Sequence, residues 1–212
     1  MRWVHRFVGL GALAAVAAAS VSCGKVIRDS RSDVILVVND FVGRSGNPQS
    51  AGFTNTLLSD VVTFVTSPAP CSVTTPCQTV FNDVALATFH FELKNPGTPT
   101  VPTSASGVNQ VIVDRYHVEY IRADGRNVQG VDVPYAWDGA MTFSVQPGAA
   151  RSVTFEIVRH SAKVEPPLIQ LVNSANVIAT ICRVTFYARD LAGNRMTATA
   201  QMEIDFGNFG DI

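Results

Sequence analysis

Hydrophobic and polar residues alternate with a period of two along much of the chain, and this period predicts β-strands with one buried face. The alternation is strictest over residues 195–206 near the C-terminus. Residues 178–188 show the same period, and the turn residues Asp190–Asn194 between the two segments predict a hairpin. The same alternation over 84–94 and 111–122 predicts two more strands.

Shorter patterns complete the set of predicted elements. The aliphatic run 34–38 is typical of a strand buried on both faces, and 57–65 is a further strand. Residues 141–145 and 153–157 alternate around Gln146-Pro147-Gly148 and predict a second hairpin. Proline, glycine, serine and threonine over 95–107 predict a long exposed loop. About eight strands without an amphipathic helix predict an all-β chain, arranged as an antiparallel β-sandwich in one domain over 33–212.

The segment Phe186-Tyr187-Ala188-Arg189-Asp190-Leu191-Ala192-Gly193-Asn194 resembles the last hairpin of bacterial immunoglobulin-like and fibronectin-III-like modules. The resemblance covers about 30 residues, from Val177 to Phe206. It implies an immunoglobulin-like antiparallel β-sandwich of about eight strands. It concerns the fold and implies no activity.

The N-terminal segment has the three zones of a secretory signal. Arg2 and Arg6 precede an apolar stretch over 7–19, and small residues follow it up to Cys23. The stretch is too short to span a membrane comfortably, because about 20 apolar residues are normally required. We therefore expect a signal peptide over residues 1–22 and an exported protein.

Ser22 and Cys23 resemble the lipobox of bacterial lipoproteins, in which the cysteine is lipidated and becomes the new N-terminus. Ser20 stands where that motif usually has an aliphatic residue, which leaves ordinary cleavage nearby as the alternative. The residue after the cysteine is Gly24 and not an aspartate, and in this the sequence resembles lipoproteins of the outer membrane. The resemblance implies a membrane partner through lipid on Cys23, with residues 23–32 as a tether reaching only about 15–18 Å as a flexible coil.

Cys71 and Cys77 lie in a proline-rich loop. In an oxidising compartment this spacing predicts a disulfide worth about 2 kcal/mol, with a metal site as the weaker alternative. Cys182 lies in an apolar strand pattern and is expected to be a buried, inert thiol.

Composition narrows the function classes further. Hydrophobic residues make up 47% of the chain, charged residues make up 16%, and the formal net charge is −1. The apolar content is enough for a core, and the lack of a basic patch argues against a nucleic-acid partner. The sequence contains no nucleophile elbow, zinc-protease motif, phosphate loop or dinucleotide motif, so we predict no enzyme activity, no cofactor and no metal site.

Three residue groups are the candidates for a binding site. Tyr135, Trp137 and Asp138 could form a ligand platform for a sugar, the favoured alternative being that Trp137 packs into the core while the acids cap turns. His90 and His117 would face each other if their strands paired, and with Glu119 they could hold a metal, the alternative being a solvated polar face.

The third group is the turn around Asp190 and Asn194. Calcium requires six to eight oxygen ligands, so this turn alone is expected to be structural.

These features predict a lipid-anchored, non-enzymatic protein of the cell envelope that acts as an adhesion, scaffold or binding module. The expected location is the outer membrane. A protein or glycan partner is expected at the loops or at an exposed strand edge. The alternatives are a carbohydrate-binding or hydrolase-accessory protein and a subunit of an envelope assembly.

Overall fold

A computed structural model describes residues 31–50 and 52–210 of the protein. The predicted signal peptide and Cys23 lie outside the described residues. The predicted all-β class is confirmed, but the described residues form twelve strands rather than about eight. The strands are β1 Val34–Arg44, β2 Thr56–Asp60, β3 Thr63–Val65, β4 Cys77–Thr79, β5 Asp83–Leu93, β6 Gly97–Thr98, β7 Val101–Pro102, β8 Val111–Ile121, β9 Trp137–Val145, β10 Arg151–Val158, β11 Ile178–Asp190 and β12 Arg195–Gly207.

Two larger sheets and two small ribbons contain all of these strands. The three-stranded sheet has the order β1-β5-β10, and the five-stranded sheet has the order β2-β12-β11-β8-β9. The ribbons are β3-β4 and β6-β7. All pairs are antiparallel except β2 and β12, which run parallel. Short helical segments follow β10, namely α1 (His160–Lys163) and a 3-10 turn over Leu168–Leu171.

The inner faces of the two larger sheets share one hydrophobic core. Phe89 of β5 lies at its centre, with its ring centroid 4.8 Å from that of Phe186 on β11 and 5.0 Å from that of Phe143 on β9. Tyr120 of β8 donates a hydrogen bond across the core to the carbonyl of Ile157 at 2.6 Å. Alternating side chains of both sheets therefore pack against each other, as the period of two predicts.

The hairpin predicted around Gln146-Pro147-Gly148 is wrong. β9 pairs with β8 and β10 pairs with β5, so the turn carries the chain from one sheet to the other. An alternating pattern identifies which side of a strand is buried, but it does not identify the neighbouring strand. The C-terminal hairpin of β11 and β12 is confirmed, with Ile178 opposite Phe206 and Arg189 opposite Arg195.

The strands define two ends of the fold. At the first end, which we call the N-terminal pole, β1 begins and β5 ends. The turn 146–150 between β9 and β10 and the turn 191–194 between β11 and β12 lie at the same end. At the opposite end, the distal pole, β1 ends, β5 begins, and residues 122–136 and 159–177 form the connections. The chain enters the fold at the N-terminal pole through Ser32, which is buried.

Within the described residues no helix has the length and apolar character needed to cross a membrane. Cys71 and Cys77 form a disulfide with a Cα–Cα distance of 5.3 Å in the loop between β3 and β4. Cys182 is buried on β11, and burial raises the pKa of its thiol well above the ordinary value.

Candidate ligand-binding site

A cavity of about 230 Å³ lies at the distal pole, where the edge strands of the two larger sheets meet. The segment leading into β9 forms one wall, and the segment after β10 forms the other. The cavity is lined by Pro134, Tyr135, Ala136, Trp137, Arg159, Ser161, Ala162, Glu165 and Pro166. Two sequence candidates, Tyr135 and Trp137, therefore lie on one cavity wall.

Trp137 is fixed between charged and aromatic neighbours. The guanidinium of Arg159 lies 3.6 Å from the centroid of the indole ring, and the ring of Tyr116 meets the indole at 74° with a centroid distance of 5.4 Å. Arg159 also donates to the carbonyl of Asp138 at 3.1 Å and lies 3.7 Å from a carboxylate oxygen of Glu156. The cation covers one face of the indole, so Trp137 acts as a cavity wall and not as an open stacking surface.

Tyr135 is the exposed aromatic side chain of the cavity, with 57% of its surface accessible. It lies against Gly130, where an added Cβ would be 2.3 Å from the Tyr135 hydroxyl. Gly130 also has φ +77°, a backbone conformation that favours glycine. Glycine at this position therefore allows Tyr135 to fold back beside the cavity.

The side chain of Asp138 belongs to a different surface. One of its carboxylate oxygens lies 3.2 Å from Nδ1 of His117 and 3.4 Å from Nη1 of Arg115 on the neighbouring strand β8. Successive residues of a strand point to opposite faces, so Asp138 cannot share the orientation of Trp137. The three residues of the predicted platform do not form one set.

The predicted pairing of His90 with His117 is wrong. β5 and β8 belong to different sheets, so these side chains are not cross-strand neighbours. Nε2 of His90 lies 3.1 Å from Glu92, and His117 contacts Asp138. In the part of the chain that the structure describes, no group of three or more His, Cys, Asp or Glu side chains could hold a metal ion.

The carboxylate of Asp190 is hydrogen-bonded within its own turn. The backbone and side-chain N–H groups of Asn194 donate to the two Asp190 oxygens at 2.8 and 2.9 Å. The arrangement matches the structural turn expected from the sequence.

Two core tyrosines near Trp137 have raised pKa values. Burial, with a smaller contribution from Glu156, raises the pKa of Tyr116 to about 12, against the opposing effect of Arg159. Burial also raises the pKa of Tyr120 well above its ordinary value. Tyr116 packs against Trp137, and Tyr120 links the two larger sheets through its hydrogen bond to Ile157.

Sequence reasoning missed Arg159 and Lys163, which organise the second wall of the cavity. Lys163 ends α1 and is 1% exposed, with Nζ 2.9 and 3.0 Å from the two carboxylate oxygens of Asp83. The same carboxylate accepts hydrogen bonds from the Ser59 hydroxyl at 2.6 Å and from the Gly46 N–H at 2.9 Å. No local pattern could reveal this cluster, because its members are far apart in sequence.

The cavity combines apolar walls with a few polar groups. The Tyr135 and Ser161 hydroxyls and the Arg159 guanidinium can donate hydrogen bonds, and the carboxylate of Glu165 can accept them. Such a lining suits a polar ligand with several hydroxyl groups better than an extended apolar one.

Comparison with known proteins gives little further information. No known protein family matches the chain, and no curated protein matches it either. One solved crystal structure, described as Northeast Structural Genomics Consortium target SoR45, aligns over 85% of this chain and 90% of its own, with 10% identity and a TM-score of 0.32. Similarity at this level supports no statement about fold or function.

Proposed function

We propose that the protein is a lipid-anchored, non-enzymatic binding module of the cell envelope, with an immunoglobulin-like β-sandwich as its folded part. The observation that carries the proposal is the placement of the cavity relative to the start of the fold. The chain enters at the N-terminal pole, and the cavity with Tyr135 and Arg159 lies at the distal pole. A lipid on Cys23 would hold the first pole near the membrane and present the cavity away from it.

The immunoglobulin-like arrangement is supported by the face-to-face packing of the two larger sheets and by the β11-β12 hairpin. The parallel pairing of β2 with β12 and the two extra ribbons are departures from a simple antiparallel sandwich.

The anchor is tested by the mass of the N-terminal peptide and by fractionation. We expect a lipid-sized increase in mass on Cys23 and recovery of the protein with membranes, and we expect Cys23→Ala to move to the soluble fraction. Cys182→Ala is the matched control, because it removes a buried cysteine without affecting the anchor. An unmodified Cys23 in the wild-type protein would contradict the proposal.

The side of the membrane is tested by protease digestion of intact cells, compared with cells whose outer membrane has been opened. Digestion of intact cells would support adhesion or capture of external ligands. Digestion only after opening would support a scaffold role in the periplasm.

Carbohydrate binding is a second candidate function, favoured by the exposed ring of Tyr135 and the hydrogen-bonding groups in the same cavity. We expect Tyr135→Ala to abolish glycan binding while Tyr187→Ala, on the outer face of β11, leaves it unchanged. Unfolding curves of both variants show whether each one is still folded, so that a loss of binding caused by unfolding can be recognised.

A subunit role in an envelope assembly is the third candidate. β2 forms an edge of the five-stranded sheet, and its residue Leu58 is 52% exposed beside a cavity of about 350 Å³. An edge strand can accept an extended segment of a partner protein. Specific co-purification that Leu58→Lys abolishes would favour this function.

A further inference from the structure

The start of the described chain is fixed to the N-terminal pole. The hydroxyl of Ser32 donates to the Asp190 carboxylate of the β11-β12 turn and accepts a hydrogen bond from the N–H of Val34 at 3.3 Å. The N–H of Lys94, at the end of β5, donates to the carbonyl of Asp33 at 2.8 Å. Any group attached upstream of Ser32 is therefore connected to the fold at this pole.

Apolar side chains lie at the tips of the loops around this point. Val101 is 72% exposed, Val108 is 70% exposed, and Leu191 at the β11-β12 turn is 51% exposed. Residues 95–113 contain no charged side chain. Val108 and Asp33 line the same cavity, so this loop lies directly beside the point where the chain enters the fold.

Basic side chains lie at the same pole as these apolar tips, together with the exposed acidic residues Asp33 and Asp114. Arg189 and Arg195 lie directly opposite each other on β11 and β12, where like charges destabilise a sheet, and Nε of Arg189 lies 3.8 Å from a carboxylate oxygen of Asp114 on β8. Lys94 and Arg151 are exposed at the ends of strands at the same pole. Exposed apolar residues at the same end of a fold as basic residues are typical of a surface that contacts anionic lipid headgroups.

The short connection to Cys23 limits the orientation of the fold. The ten residues from Cys23 to Ser32 are joined by nine Cα–Cα steps, which span at most about 32 Å even when fully extended. β11 has 13 residues and is about 40 Å long, so the distal pole cannot face the membrane while the N-terminal pole points away from it.

We propose that the N-terminal pole docks on the lipid surface, with Val101 and Val108 at the headgroup level and Arg189 and Arg195 facing lipid phosphates. The inference rests on the proposed lipid anchor at Cys23. It adds a second membrane contact, made by the folded part itself, and it fixes the direction in which the distal cavity points.

The test places an environment-sensitive fluorophore on Val101→Cys of the full chain, in vesicles of phosphatidylethanolamine and phosphatidylglycerol that contain brominated lipid. The matched control is Val131→Cys, which is at a 66% exposed position in the distal loop. Cys182 is buried and Cys71 and Cys77 are bonded, so they do not compete for the label. We expect at least twofold stronger quenching at position 101 than at 131, and equal or reversed quenching would overturn the proposal.

Charge variants test the role of the arginines. We expect R189Q/R195Q to reduce quenching at position 101 at least twofold, and R126Q in the distal loop to have no effect. Unchanged quenching in the double variant would overturn the contact with lipid phosphates.

Failure of the lipid anchor and failure of the docking proposal give different results. A mass without lipid, together with fluorophore on Cys23 itself, would contradict the proposed function. A lipidated Cys23 with no quenching at position 101 would contradict only the docking of this pole.

Discussion

Lys163 and Asp83 form an ion pair that is enclosed by the fold, with Nζ 2.9 Å from Oδ2 and with side-chain exposures of 1% and 0%. The pair connects α1 to the start of β5, and the Ser59 hydroxyl links the same carboxylate to β2. A buried charge whose partner is removed is left without compensation. This pair therefore holds one wall of the distal cavity to both larger sheets.

We expect Lys163→Met to lower the free energy of unfolding by about 3–5 kcal/mol, because Asp83 is left in the interior without its cationic partner. Adding Asp83→Asn should restore part of the loss, since an amide oxygen can still accept from Ser59 or Gly46. Urea unfolding of the two single variants and the double variant measures this coupling. A double variant no more stable than Lys163→Met would contradict the interpretation.

Tyr120→Phe tests the hydrogen bond that crosses the core. Ile157, which receives it, is the extra residue of a bulge between Glu156 and Val158 in the pairing of β10 with β5. We expect a loss of about 1–3 kcal/mol, because the Ile157 carbonyl would remain buried without this donor. Thermal unfolding measures the loss, with Tyr187→Phe on the outer face of β11 as the control. Equal stability of the two variants would show that the hydrogen bond does not contribute.

Gly139→Ala tests the close approach of β9 to Tyr116. An added Cβ at this position would lie 2.1 Å from Cζ of the Tyr116 ring, which is buried. We expect a loss of about 1–3 kcal/mol and a changed near-UV circular dichroism spectrum, since the Tyr116 ring must shift relative to Trp137. The matched control is Gly107→Ala, where an added Cβ meets no heavy atom within 4 Å. A Gly139→Ala variant as stable as this control would refute the predicted steric conflict.

The Asp190 turn should make the stability of the folded state depend on pH in the acidic range. Burial alone would raise the pKa of Asp190, but hydrogen bonds from Asn194, Ser32 and Ala192 outweigh it and lower the pKa below its ordinary value. The folded state therefore gains stability above the pKa of the unfolded chain, about 3.9, and loses it as the pH falls through the lower folded pKa.

Asp190→Asn should remove this gain, so we expect the variant to be less stable at pH 7 and the difference to shrink below about pH 4. Thermal unfolding between pH 2 and pH 7 measures the difference, with Asp33→Asn as a nearby exposed control. A constant difference across this range would show that ionisation of Asp190 is not its cause.

The β11-β12 hairpin shows how far the sequence alone can determine structure in this protein. Twelve alternating residues determine which face of β12 is buried, and Asp190 and Asn194 close the turn through local hydrogen bonds. Side-chain period and turn chemistry are local properties, so a sequence can encode them completely. The all-β class and the pairing of Cys71 with Cys77 follow from similarly local patterns.

The tertiary structure alone decided which strands are neighbours. β9 and β10 alternate like the strands of a hairpin, yet they belong to different sheets, and the same separation keeps His90 away from His117. The contact of Arg159 with Trp137 and the enclosure of Lys163 with Asp83 also depend on packing between distant segments. A residue pattern records whether a side chain is buried but not the surface that buries it, because that surface is formed by residues elsewhere in the chain.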